Sequence, residues 1–237
     1  MGQKKLKRFA EIKTFPNFLE YPEGMAGNWH NFFHNPHPIV LELACGKGEY
    51  AIGMGRLFPD KNFIGIDLKS NRMWVGARQA LQEKLSNVAF LRSQIDKLNN
   101  YFAAGEVAEI WLTFPDPQLR ISKAKKRLTH PRFLRLYKQV MQAGGYIHLK
   151  TDSPDLYAFT KKVINLYKLT VLEDLDNVYA QMEINELMKI KTHYEALDIA
   201  GTAKVHYLRF TLDEALTEEK DIQLKDLVRE EEADRRN

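Results

Sequence analysis

Cysteine is almost absent from this chain. Cys45 stands alone among 237 residues, which excludes an intrachain disulfide and any zinc site built on several thiolates. No apolar run approaches the ~18–20 residues of a membrane-spanning helix, so no membrane segment is expected. The basic start, Met-Gly-Gln-Lys-Lys-Leu-Lys-Arg, has no apolar stretch behind it, and a secretory signal is not expected either. Seven histidines are scattered without ligand spacing, so no metal is expected. Internal repeats are lacking too. What is left is 44% hydrophobic and 28% charged, the composition of an ordinary globular protein of the cytoplasm. The length suits one large α/β domain or two small ones.

Charge is spread unevenly. Residues 213–237 hold ten acids and five bases, leaving that stretch at −5 and the rest of the chain at +9. A basic body with an acidic tail favours a polyanionic partner. The tail from Thr217 carries only a thin stripe of Leu224, Leu227 and Val228, which reads as a solvated end helix. Residues 1–37 read as a basic extension rich in proline, pinned onto the body by Trp29, Phe32 and Phe33. Between these ends, short apolar runs alternate with helical patterns. Strands are expected at Ile39–Leu43, Asn62–Ile66, Val88–Leu91, Val107–Phe114 and Tyr146–Lys150, with a late pair near Leu169–Glu173 and Lys204–Leu212. Helices are expected at Glu49–Leu57, Asn71–Leu85 and Pro154–Tyr167, and from Thr129-His130-Pro131 to a stop at Gly144-Gly145. Strands separated by helices predict a doubly covered, mostly parallel, seven-stranded Rossmann-like sheet over residues 38–212.

The first strand runs into Glu42-Leu43-Ala44-Cys45-Gly46-Lys47-Gly48. Glycines there let backbone approach a ligand, and the next helix offers free N–H groups. Asp67 closes the second strand 21 residues after Gly46, where a carboxylate accepts from a ribose diol. A third glycine is missing, since Ala51 occupies its place. Glu42 would also repel a pyrophosphate. The turn therefore suits S-adenosyl-L-methionine, which carries an ammonium and a sulfonium, better than a nicotinamide dinucleotide. Cys45 reads as a small packed residue, because no base is placed beside it.

Asp116 lies between Pro115 and Pro117 at the end of the fourth strand. Those prolines stop the strand, and open α/β sheets place their ligand sites at such ends. Arg120, Lys123, Lys125, Lys126 and Arg127 follow within eight residues, a set suited to phosphates. Two readings stay open for the segment alone: chemistry on a nucleic acid, or a tight turn before a solvated basic loop. Lys150 reads as a surface charge at a strand end.

With these residues in view, the chain resembles the tRNA (guanine-N7)-methyltransferases, class I S-adenosylmethionine-dependent enzymes. The resemblance rests on five ordered blocks over roughly 38–212: Leu-Glu-Leu-Ala-Cys-Gly-Lys-Gly-Glu with Phe-Ile-Gly-Ile-Asp, then Phe-Pro-Asp-Pro, Lys-Lys-Arg-Leu-Thr, Gly-Gly-Tyr-Ile-His-Leu-Lys-Thr-Asp and Thr-His-Tyr-Glu. It implies a class I methyltransferase fold acting on a variable-loop guanine of tRNA, without settling monomer or homodimer. It implies that Glu42, Gly46, Gly48 and Asp67 bind the donor, and that Gln94 or Asp96 contacts its adenine. Asp116 becomes the principal active-site carboxylate, also beside the donor. Arg120 and the loop with Lys123, Lys125, Lys126 and Arg127 would meet RNA. Asp152, Thr192 and Glu195 would complete the guanine pocket. The family's tryptophan after the second proline is replaced here by Gln118.

Overall fold

The computed structural model describes residues 2–192, 195, 201 and 204–234. His193 and Tyr194 of the Thr-His-Tyr-Glu block lie outside them, as do Arg235 and Arg236 of the tail. In chain order the elements begin with α1 (Gly2–Ile12), β1 (Phe18–Glu20), α2 (Trp29–Phe33), β2 (Ile39–Leu43) and α3 (Glu49–Leu57). Next come β3 (Asn62–Asp67), α4 (Ser70–Gln82), β4 (Val88–Arg92), β5 (Val107–Thr113) and α5 (Pro131–Val140). The chain continues with β6 (Met141–Thr151), α6 (Pro154–Tyr167), β7 (Val171–Leu175), α7 (Glu186–Lys189), β8 (His206–Thr211) and α8 (Glu219–Asp234). Among the described residues no helix is long and apolar enough to cross a membrane.

The strands form one sheet in the order β1-β4-β3-β2-β5-β6-β8-β7. Pairing is parallel from β1 through β6, and β8 is antiparallel to both β6 and β7. The expected Rossmann-like α/β fold is present, with one correction: the sheet has eight strands rather than seven. The extra edge strand comes from the proline-rich extension, where Phe18, Leu19 and Glu20 pair with Phe90, Leu91 and Arg92. Three residues are too few to show an alternation in sequence.

All five residues of β2 are buried, as a parallel strand covered on both faces requires. Successive side chains divide between two cores, because strand side chains alternate faces. Leu41, Ile64, Ile110 and Leu149 pack beneath α5, α6 and α8. Val40, Phe63, Phe90 and Trp111 pack with α3 and α4. Trp29 is fully buried, stacks on Phe102 and donates its indole N–H to the Tyr101 carbonyl, so it does pin the extension.

Two further readings are corrected. Helix α5 ends at Val140, and Gly144-Gly145 belong instead to an irregularity early in β6, where the register with β5 shifts between Val107 and Glu109. The tail helix α8 is docked rather than fully solvated. Leu224 and Val228 are buried in the core, while Leu227 stays exposed. Asp221 anchors its start through Arg135, whose Nη2 lies 2.6 Å away, and through the Tyr167 hydroxyl.

Candidate functional site

Parallel register carries the ends of β2, β3, β5 and β6 to one edge of the sheet. Leu43 pairs with Ile66 and Leu112, and Thr113 pairs with Lys150, so the residues just beyond share a rim. A cleft of about 730 Å³ opens there. Glu42, Gly46 and Asp67 line it from one side, Asp116, Pro117 and Leu119 from another, and Asp152 and Thr192 from a third.

Glu42 is almost completely buried, with 1% of its surface exposed. Its Oε2 accepts from the Ala51 N–H at 2.9 Å and its Oε1 from the Thr113 hydroxyl at 2.9 Å. Burial pushes its pKa up to about 8, against the pull of those two donors. Thr113 is a cleft residue that sequence reading missed, since only the β2–β5 pairing brings it to Glu42. Asp67 braces the turn: its Oδ2 accepts from Gly46 N–H at 3.0 Å and its Oδ1 from Lys69 N–H at 2.8 Å.

Ala44 takes a left-handed φ of 57°, a conformation in which glycine is less strained. Gly48 caps α3 at φ 74°, and a Cβ there would come within 2.3 Å of the Phe90 ring. A Cβ at Gly46 would meet nothing within 4 Å, so that backbone fronts open space. A buried carboxyl, a second carboxylate braced on the turn and a bare turn fit a cationic nucleoside such as S-adenosylmethionine. Burial pushes the Cys45 thiol up, in keeping with a packed residue.

Asp116 is exposed at the cleft, with Oδ1 accepting from the Gln118 N–H at 3.0 Å. Its neighbours Phe114 and Gln118 both adopt positive φ, 46° and 47°. Non-glycine residues held there are strained, and something must hold them. Arg127 does so. It is 5% exposed, and its guanidinium donates to the carbonyls of Pro117, Gln118 and Leu119 at 3.2–3.4 Å while lying 4.4 Å from the Phe159 ring. The expectation that Arg127 faces RNA is corrected: it is a buried brace under the Asp116 loop. Arg120, Lys123, Lys125 and Lys126 are exposed, the last three on a 3₁₀ turn over Ile121–Lys126.

Gln94 is exposed at the start of another 3₁₀ turn, and neither it nor Asp96 is among the residues lining the cleft. Asp152 and Thr192 do line it. Glu195 does not, because its carboxylate meets Lys150 Nζ at 3.1 Å and accepts from the Tyr179 hydroxyl. Lys150 is no surface charge. Its side chain is fully buried, and burial lowers its pKa while Glu195 opposes the shift.

The family description "Putative methyltransferase" matches residues 36–208. A tRNA (guanine-N(7)-)-methyltransferase of Porphyromonas gingivalis is 51% identical over 215 residues, 86% of this chain and 87% of that protein. This chain belongs to the tRNA (guanine-N(7)-)-methyltransferase family. A second member, from Bacteroides thetaiotaomicron, is 44% identical over 95% of this chain and 92% of its own. Among solved structures, the 16S rRNA methyltransferase KamB superposes with a TM-score of 0.59 at 15% identity, covering 78% of this chain and 92% of that one. That likeness speaks to the fold alone.

Proposed function

We propose that this protein transfers a methyl group from S-adenosyl-L-methionine to N7 of a guanine in tRNA, without a metal. One observation carries the reading beyond family membership. Asp116 faces the same cleft as Glu42 and Asp67, at the foot of a turn of exposed lysines. The donor, when bound, supplies an electrophilic methyl on a sulfonium.

Guanine N7 presents a lone pair and no proton at neutral pH, so the site needs no base to make the nucleophile. Its work is to align, to exclude water and to favour positive charge growing on the purine. Asp116 orients the base by accepting from its N–H groups and stabilises that charge. Asp152 and Thr192 hold the base's far side. Arg120, Lys123, Lys125 and Lys126 take the backbone, offsetting the few kcal/mol that unstacking a base costs. The cytoplasm is the compartment this substrate implies. Purified protein, labelled donor and unmodified tRNA, followed by nucleoside chromatography, test the reading. Label in 7-methylguanosine is expected, and label in any other nucleoside contradicts it.

Glu42 adds a pH signature. A carboxyl whose folded pKa is raised from 4.5 to about 8 adds stability fully present below 4.5 and lost as pH rises through about 8. A cationic ligand favours its ionised form. Donor binding near pH 7 is therefore expected to release close to one proton, with affinity rising up to about tenfold per pH unit before levelling near pH 8. Calorimetry in buffers of different ionisation enthalpy reads this directly. A pH-independent affinity with no proton release removes Glu42 from the donor site.

The lysine turn makes a second prediction. Replacing Lys123, Lys125 and Lys126 by glutamine should weaken tRNA binding and flatten its dependence on log salt by roughly 2. An unchanged slope takes this turn off the RNA surface.

A further inference from the structure

The chemistry above gives Lys150 nothing to do, yet its ammonium is among the most completely enclosed charges in the described molecule. Burying an ion costs several kcal/mol unless the partners are well placed. Here they are. Nζ donates to the carbonyls of Met188 and Ile190 at 3.0 and 3.2 Å and meets both Glu195 carboxylate oxygens at 3.1–3.2 Å. The rings of Tyr50, Phe114 and Tyr179 stand 5.4–5.9 Å from it.

The Glu195 carboxylate is consumed by this arrangement. It accepts from the Tyr179 hydroxyl and, at 3.4 Å, from the Thr192 N–H. The Thr192 hydroxyl in turn accepts from Glu195 N–H at 3.1 Å. Packing closes the other side, since Met188 is buried and the Ile190 side chain fills the space a Cβ on Gly53 would occupy. Of the described residues between 179 and 195, Thr192 alone lines the cleft. Asp152, two residues after Lys150 and just past the end of β6, lines it too.

We infer that Lys150 is a positioning residue. By pairing with Glu195 and taking the carbonyls of Met188 and Ile190, it holds Thr192 in the cleft wall beside Asp152, on the side that receives the guanine. Glu195 is then a fastening carboxylate rather than a group offered to the base. This rests on the functional reading above in naming guanine as what the wall receives; the fastening itself does not.

Full-length Lys150→Met and Glu195→Gln test it. Hydrogen exchange read by mass spectrometry over residues 186–192 needs no turnover. About 10-fold faster exchange is expected there in both variants, with peptides across 39–67 unchanged. The KM for tRNA should rise about 10-fold, while S-adenosylhomocysteine affinity by calorimetry stays within about 2-fold. Thr192→Ala should cost roughly 10-fold in kcat/KM in the unsubstituted protein but under about 2-fold beside Lys150→Met. Should Lys150→Met fail to fold, Glu195→Gln carries the exchange and KM measurements, since glutamine keeps the size and the bond from Tyr179. Unchanged exchange over 186–192, or Thr192→Ala effects that simply multiply, overturns the inference. If the unsubstituted protein does not methylate tRNA, the functional reading fails and the exchange result alone decides the fastening.

Discussion

Replacing Asp116 by alanine is expected to lower methyl transfer by about a thousand-fold while tRNA binding stays near that of the unsubstituted protein. In the proposed function tRNA binding falls to the exposed cationic turn several residues away, so the two properties reside on separate groups. The backbone of the loop should survive the change, because Arg127 grips the carbonyls of residues 117–119 and not the Asp116 side chain. Asp116→Asn sharpens the test, since it keeps the bond from Gln118 N–H yet removes the charge facing the developing purine cation. Filter binding and single-turnover methylation separate the outcomes. An equal loss of binding and turnover would place Asp116 in the scaffold instead of the chemistry.

Arg127→Met is the second large effect, and it follows from the corrected role. Removing the guanidinium leaves three carbonyls without their donor beneath a loop that already carries two strained φ angles. The loss is expected to be on the order of 3 kcal/mol, because hydrogen bonds to a charged donor are the strong ones and buried acceptors left bare are costly. For a chain of this size the Tm should fall by roughly 6–12 °C. Turnover should fall about 100-fold as Asp116 loses its placement. Arg127→Lys is expected to rescue little, since an ammonium cannot fork toward several carbonyls. The salt dependence of tRNA binding should be unchanged at temperatures where the variant is folded. A normal Tm with a flattened salt slope would return Arg127 to the RNA surface.

Arg127 and Lys150 also mark where sequence reading stops. Lys123, Lys125, Lys126 and Arg127 look alike as a run of charge, and nothing local says that one of the four turns inward. Only a 3₁₀ turn, which carries Arg127 beneath the residues ten positions earlier, separates it from the others. Lys150 sits at a strand end, where a charge is usually solvated. Its partners arrive some 40 residues later, a separation at which no periodicity operates. By contrast, β2, β3 and β5 were legible because parallel strands buried on both faces read as continuous apolar runs. Glu42 and Asp67 were legible because each interrupts or ends such a run beside glycines. The edge strand β1 was hidden by its shortness. The α8 stripe was hidden by the charge around it, although two of its three apolar residues are enough to dock it. Gly144-Gly145 resembled a helix stop, but an irregular strand uses the same residues.

Different strands bring carboxylates to one rim, and the proposed function has Asp116 meet a purine whose N7 needs no deprotonation. The most direct measurement is borohydride reduction and aniline cleavage of tRNA after incubation with the protein and S-adenosylmethionine. Scission at a single guanine, absent with Asp116→Ala, is the expected result. Methyl incorporation with no scission would mean that the group went to another atom, and the account of this cleft as an N7 site would be wrong.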